Sequence, residues 1–476
     1  MPALCSLLNQ SEPFTDLQNL QMQLETSPAD LQALISNTLE TSDDEIIYAF
    51  YINDLQITKT LGETIYDAKL TLEDHISIKA VPQERINVSA LSRCSADLPG
   101  HEDSVLCCQF SPNSRFAASG SGDKTVRIWD CHTATCKAIL RGHNAWVLAL
   151  RFSPDGTRLV SADHDGTVCI WNCENFTRLN YQRGLGTGKQ WVTCIQWDYT
   201  GERFFTGGRD GAVRCFDKNG KFVKIVSSHA KCVTTLTMTG RHLISSSEDC
   251  TVQVTRLEDF VTVHKIQHAH WVNSVQSNVW FLVRYGVFGL HKMFNFYKAP
   301  LNENGITTPE QLLTLDQQQQ AALVKKVLLA SKEMLITASD DHTLQLYEIS
   351  PEFKLIAKMT GHARQINQAV WSPNGMFIAS CSFDRTVRIW SGQNGKFLSR
   401  FQAHASEVYQ VCFSSDSRLV LSGGKDSTCK VYSIKQQKLL RELPGHADEV
   451  YCVDWSLNGE YGISGSKDRL VKLWRQ

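Results

Sequence analysis

Serine, histidine and aspartate recur together along this chain at spacings that would suit acyl-transfer chemistry. Ser119 stands with His101 and Asp123, Ser161 with His143 and Asp165, Ser380 with His362 and Asp384, and Ser464 with His446 and Asp468. A serine activated by an imidazole that a carboxylate orients is the hydrolase arrangement. An enzyme needs it once. Four copies at one spacing point instead to a buried hydrogen-bond network, repeated because it stiffens a repeated turn. Two other patterns fail on their own chemistry. Gly184-Leu185-Gly186-Thr187-Gly188-Lys189-Gln190 has three residues between its outer glycines, where a phosphate loop has four. Gln190 also stands where that loop needs Ser or Thr for magnesium. His268-Ala269-His270 has no third metal ligand at useful spacing, and Asp340-Asp341-His342 contains only one more copy of the repeated aspartate. These motifs support no catalytic site, no small-molecule substrate and no cofactor of the chain's own.

The elements that must position these residues follow from the spacing. In each copy the aspartate lies 22 positions after the histidine and an aromatic residue 6 later: Trp129, Trp171, Trp390 and Trp474. His404, Asp426 and Tyr432 keep the same frame. A period of about 42 residues marks four-stranded propeller blades, each too small to bury a core alone. Three damaged copies complete the series. Blade three keeps Asp210 and Phe216 but has Gly188 in the histidine position, and blade four runs from His229 to Asp249 with Thr255 in the aromatic position. Blade five starts at His268 and reaches Asp341 only 73 positions later, which places a 51-residue insertion within about 274–331. The frame resembles that of WD-repeat proteins, and the predicted fold is mainly β, an eight-bladed propeller over 86–476. The sequence after Trp474 has no room for an outer strand in blade eight, so Ile86–Leu98 is expected to supply it and close the ring.

Residues 1–85 read as a separate small domain. Leu17, Leu20, Met22 and Leu24 suit a hairpin, Thr26-Ser27-Pro28 starts a helix, and Leu31, Leu34, Ile35 and Leu39 form its apolar face. Ile46–Ile52 and His75–Val81 read as strands. This order suggests a ubiquitin-like β-grasp. The segment carries 14 acidic and 4 basic residues, whereas the rest has 35 acidic and 44 basic. That asymmetry points to two different partners, although no compact Lys/Arg stripe marks a nucleic-acid site. Met1–Thr15 has no secretory pattern. Val279–Phe294 is too short and too charged to span a bilayer, so no membrane partner is expected. The sixteen cysteines form no paired CxxC knuckles and fit buried thiols in a reducing compartment.

Partners are expected on the face where the histidine turns emerge. Trp146, Trp191 and Trp271 share one position there, three residues after the histidine, and tryptophan is enriched in binding hot spots. Packing between blades would account for them as well. Arg209, Lys425 and Lys467 precede frame aspartates and could meet phosphate or acidic protein; solvated surface charge is the plainer reading of each. Within the insertion, Thr307–Lys326 reads as helical, and the whole excursion as a docking arm.

The C-terminal motifs are specific enough to show a family resemblance. Lys358-Met359-Thr360-Gly361-His362, Ala379-Ser380-Cys381-Ser382-Phe383-Asp384, Val408-Tyr409-Gln410-Val411 and Leu443-Pro444-Gly445-His446-Ala447-Asp448-Glu449-Val450-Tyr451 resemble the Notchless family of ribosome-assembly proteins. So does His270-Trp271-Val272-Asn273 followed by the long insertion. The resemblance implies a non-enzymatic assembly factor of the large ribosomal subunit, nuclear and nucleolar. Its propeller would dock on the pre-ribosome, with ribosomal RNA, near the 5S ribonucleoprotein. It further implies that the ubiquitin-like domain is gripped by the AAA ATPase Midasin, a carboxylate completing a magnesium site in that partner. In Leu72-Glu73-Asp74-His75-Ile76 the carboxylate corresponds to Glu73, with Asp74 as rival. A seven-bladed relative of the WD-repeat protein twelve type and a cytoplasmic signalling or ubiquitin-ligase scaffold are the alternatives. Eight blades and the insertion argue against the first.

Overall fold

The computed structural model describes residues 3–9, 17–22, 31, 47–52, 55–56 and 76–83 of a first unit, Met1–Asn87. In a second unit, Val88–Gln476, it describes all but 183–190, 295–296, 298–300, 302–305, 307, 350–352 and 476. The first unit holds one sheet of five strands: β1 (Ala3–Asn9), β2 (Leu17–Met22), β3 (Ile47–Ile52), β4 (Leu55–Gln56) and β5 (Ile76–Gln83). Their order is β2-β1-β5-β3-β4, with β1 and β5 parallel. A parallel pair needs a crossover longer than a hairpin, and the chain between β2 and β3, where the helix is predicted, has the length for one. Leu31 is helical and fully buried; the rest of the predicted helix, and Glu73 and Asp74, lie outside the described residues.

The second unit is an eight-bladed propeller of four-stranded antiparallel sheets. The middle strands of the blades are buried at nearly every position, so both faces of a sheet pack on neighbouring blades. The eighth sheet takes its outer strand from Arg93–Leu98, which pairs with Val471–Arg475 in a register running from Val471↔Leu98 to Arg475↔Arg93. The strand next to the ring axis in each blade is tied to its neighbour by side chains. Gln109 Oε1 accepts from Phe152 N at 3.0 Å, Gln368 Oε1 from Val411 N at 2.9 Å and Gln410 Oε1 from Val453 N at 2.8 Å. At the seam between blades eight and one, Asp454 accepts from Phe110 N at 2.9 Å. Buried backbone donors are thereby satisfied around the ring.

The blade-five insertion begins later than the sequence suggests, because the first strand runs on to Ser277; the second starts at Met334. Between them lie α1 (Trp280–Lys292), α2 (Pro309–Thr314) and α3 (Gln317–Ala330). The predicted single helical stretch is broken at Leu315-Asp316, where Asp316 caps α3 by accepting from Gln319 N at 2.8 Å. Nor is the insertion a projecting arm. It emerges on the face opposite the histidine turns and folds back across it. Leu282, Val283 and Leu290 of α1 and Val327 and Leu328 of α3 are buried in one core with Phe205, Leu236 and Met238 of blades three and four. Trp280 Nε1 donates to Trp371 O in blade six at 2.8 Å, and Arg284 pairs with Asp454 in blade eight at 2.5 Å. Gly286, at φ 51°, bends α1 where a Cβ would sit 3.3 Å from Pro154 of blade two. The apolar run Val279–Phe294 is therefore a cap over the propeller channel, leaving a cavity of about 100 Å³ lined by Gln109, Gln196, Thr237, Gln276 and Gln368. No helix among the described residues is long and apolar enough to cross a membrane.

Candidate interaction face

The repeated Ser/His/Asp sets form inside the blades. In blade one Trp129 Nε1 donates to Ser119 Oγ at 2.8 Å, His101 Nε2 meets the same oxygen at 2.8 Å, and His101 Nδ1 meets Asp123 at 2.7 Å. Blades six and eight repeat it through Trp390, Ser380, His362 and Asp384, and through Trp474, Ser464, His446 and Asp468. One proton order satisfies every member: indole N–H to serine oxygen, serine O–H to a neutral imidazole, imidazole N–H to an ionised carboxylate. The pKa shifts agree with it. Burial pulls the His362 and His446 imidazoles down despite their carboxylate partners. For Asp123 and Asp384 burial would raise the carboxyl, but bonds from histidine and threonine outweigh it and hold both well below the ordinary range. Ser119, Ser161, Ser380 and Ser464 are 0% exposed, so no substrate reaches these oxygens. The sets are scaffold.

Blade two corrects one residue. His143 Nε2 meets Ser161 at 2.6 Å and Trp171 Nε1 donates to that serine at 2.8 Å, but the carboxylate on His143 Nδ1, at 3.1 Å, is Asp163 and not Asp165. Asp163 occupies the place held in blade one by Ser121, at the strand end that faces the imidazole. It also accepts from Thr167 N at 2.7 Å and from Asp165 N at 3.0 Å, which leaves Asp165 in the turn. Blade three, without a histidine, solves the same problem with a guanidinium: Arg214, 7% exposed, makes a bidentate pair with Asp210. Residue frames alone missed that substitution. Blade four keeps His229, Ser245 and Asp249. In blade five His268 is buried, and neither ring nitrogen has a hydrogen-bond partner among the described residues.

On the histidine face the predicted tryptophans divide. Trp146 is 53% exposed and Trp271 46%. Trp191 is partly covered, because it packs between two neighbours. Its ring lies 4.1 Å from His164, which in turn lies 5.8 Å from Trp146, and the Arg209 guanidinium carbon lies over the Trp191 ring at 4.3 Å. Backbone bonds fix this row, His164 N donating to Trp146 O and Arg209 N to Trp191 O, both at 2.9 Å. Lys231 approaches the Trp271 ring at 6.0 Å. The other two predicted cations differ in kind. Lys425 is paired with Glu407 at 3.6 Å and Lys467 with Asp448 at 3.6 Å. Tyr409 and Tyr451 form a ring pair at 5.8 Å beside them, with Tyr409 donating to Glu449 at 3.0 Å. His164, which sequence reasoning did not single out, is the link between the tryptophans. Among the described residues no cluster of three or more His, Cys, Asp or Glu is arranged to hold a metal.

The family model of the WD domain, G-beta repeat, matches 92–130, 134–172, 182–217, 220–255, 353–391, 395–433 and 437–475, more than half of the chain. It passes over blade five, which the insertion interrupts. Protein Notchless of Drosophila melanogaster is 36% identical over 351 residues, 72% of this chain and 69% of that protein. Ribosome assembly protein 4 of Saccharomyces cerevisiae is 33% identical, covering 78% of this chain and 74% of its own length. The Notchless protein homolog of Arabidopsis thaliana is 36% identical over 78% and 76%. The crystal structure of the computationally designed Ika8 protein superposes with a TM-score of 0.60 at 22% identity, over 81% of this chain and 100% of that one, a likeness of fold alone. With identity extending across most of the repeats, the chain belongs to the Notchless and Ribosome assembly protein 4 family of WD-repeat proteins.

Proposed function

We propose that this protein is a non-catalytic assembly factor of the large ribosomal subunit. The observation that carries the reading is the identity of a third or more to relatives named as ribosome assembly proteins, running through the propeller. A ring whose polar sets are buried inside the blades suits a scaffold: it offers faces rather than a reactive pocket. In this reading the propeller docks on the pre-ribosome, near the 5S ribonucleoprotein, in the nucleus and nucleolus. The acidic first unit is the handle by which the Midasin ATPase pulls. Glu73 supplies a carboxylate oxygen, the hard donor that magnesium prefers, to the partner's adhesion site. Glu73 lies outside the described residues, so this assignment rests on the family resemblance and on donor chemistry.

Sedimentation of the tagged full-length chain tests the first statement. It is expected to travel with large-subunit precursors, and a chain that stays at the top of the gradient would refute the assembly role. The handle is tested by magnesium-dependent binding of the full chain to the Midasin adhesion domain. Glu73→Ala or chelator should abolish it, whereas undiminished binding by Glu73→Ala would move the assignment to Asp74.

A further inference from the structure

The cations of the histidine face differ in their surroundings around the ring. On blades six to eight Arg364 and Lys425 both lie on Glu407, at 3.9 and 3.6 Å, and Lys467 lies on Asp448, while Arg385 and Arg469 stay exposed in the turns after Asp384 and Asp468. On blades two to five the cations lie against aromatic rings instead. Trp146, His164, Trp191 and Arg209 form a continuous row of tilted ring contacts ending in a cation over the Trp191 ring, and Lys231 with Trp271 extends the alternation of aromatic and cationic groups. Among the described residues no carboxylate pairs with Arg209 or Lys231. Carboxylates share the arc as well, Asp165 beside His164, Glu248 and Asp340, and Asn273 bonds Asp340 at 2.6 Å.

We propose that this arc binds single-stranded RNA, with unpaired bases stacking on the exposed faces of Trp146 and Trp271 and phosphates lying against Arg209 and Lys231. Aromatic platforms interleaved with cations are what a flexible polyanion with π-faced bases requires. A cationic peptide would be repelled by the two free cations, and an acidic peptide would leave the half-exposed indoles unused. The inference deepens the assembly reading and rests on it for the source of the RNA.

The probe is a fluorescein-labelled 12-nucleotide oligouridylate, titrated by anisotropy against the full-length chain at several salt concentrations. Binding should quench tryptophan emission. Trp146→Ala should weaken it by about ten-fold, and Arg209→Gln should lower the salt slope by about 0.7. Glu248→Gln should tighten it, and Lys425→Gln should leave it unchanged. Equal affinity for a blunt duplex of the same length, absence of wild-type binding, or wild-type behaviour of both Trp146→Ala and Arg209→Gln would overturn the proposal. Sedimentation separates this from the parent reading: a chain that travels with precursors but ignores the oligonucleotide is an assembly factor without this site. If the Trp146→Ala chain leaves the precursors yet binds the oligonucleotide normally, the face reads protein, and the RNA assignment is wrong.

Discussion

Replacing Arg284 by methionine should destabilise the ring at a site some 170 residues away in sequence. The guanidinium comes from the insertion and meets Asp454 at 2.5 Å, with both side chains largely buried at 13% and 8% exposure. Asp454 also accepts from Phe110 N across the closing seam. Arg284→Met leaves that carboxylate in a poorly solvated site with a single neutral donor, a change that costs ~3–5 kcal/mol in buried pairs. One neighbour softens the loss. The Arg151 pKa is pulled down to about 10, first by burial and then by Arg284, while Asp454 pulls it up. Once Arg284 is gone, Arg151 gains attraction for Asp454, so the expected cost is about 3 kcal/mol, at the lower end. All eleven tryptophans follow residue 88, so indole emission during urea unfolding reports the propeller alone. Asp454→Asn should be nearly as costly, since it strands the guanidinium. The double variant should recover about 2 kcal/mol or more relative to additivity. A loss below about 1 kcal/mol for Arg284→Met, or strict additivity, would show that the cap does not fasten the seam.

Three further outcomes are expected. Asp163→Asn should lower stability by about 2 kcal/mol, because a buried hydrogen-bonded charge is lost, whereas Asp165→Asn should change it by less than about 0.5 kcal/mol; thermal unfolding of the two decides which aspartate the imidazole uses. Arg214→Met should cost about 3 kcal/mol by stranding Asp210, while Arg209→Met, one residue before that aspartate, should unfold like wild type. Acid should destabilise in two stages. His229, His268, His362 and His446 are held below 6.5, so the unfolded chain takes up their protons first, and stability falls as pH drops through 6.5. Asp123, Asp384 and Asp426 are held below 3.8, so the unfolded carboxyls protonate first, and their contribution falls progressively as pH drops below 3.8 until the folded carboxyls protonate too. A melting temperature unchanged between pH 7.5 and 5.5 would contradict the first stage.

Much of this could be read from residue spacing, because a propeller repeats one local solution. Histidine, serine, aspartate and tryptophan at fixed offsets mark a turn that needs all four, and eight frames meant eight sheets. Fixed offsets also caused the error in blade two. Asp163 and Asp165 both compete for one imidazole, and counting selects the second, while strand geometry selects the first. Arg214 was hidden for a related reason: Arg127 and Arg388 hold the same offset in blades that keep their histidines. In the insertion, the apolar run Val279–Phe294 showed that something must be covered, yet not by what. Only the path of α1 across Pro154, Trp371 and Asp454 shows that it covers the propeller itself.

The closing strand sets a delay on biosynthesis. Cys94 pairs with Trp474, so a segment made early must wait for about 380 residues before its partner exists. At ~5–20 residues per second the wait is about 20–80 s, during which the last-made edge of the growing ring has no cover. Contacts of such long range form slowly even in a finished chain. The nascent protein is thus a natural client for chaperones that shield β-edges until the final blade emerges, and a stalled or truncated product would present that edge permanently.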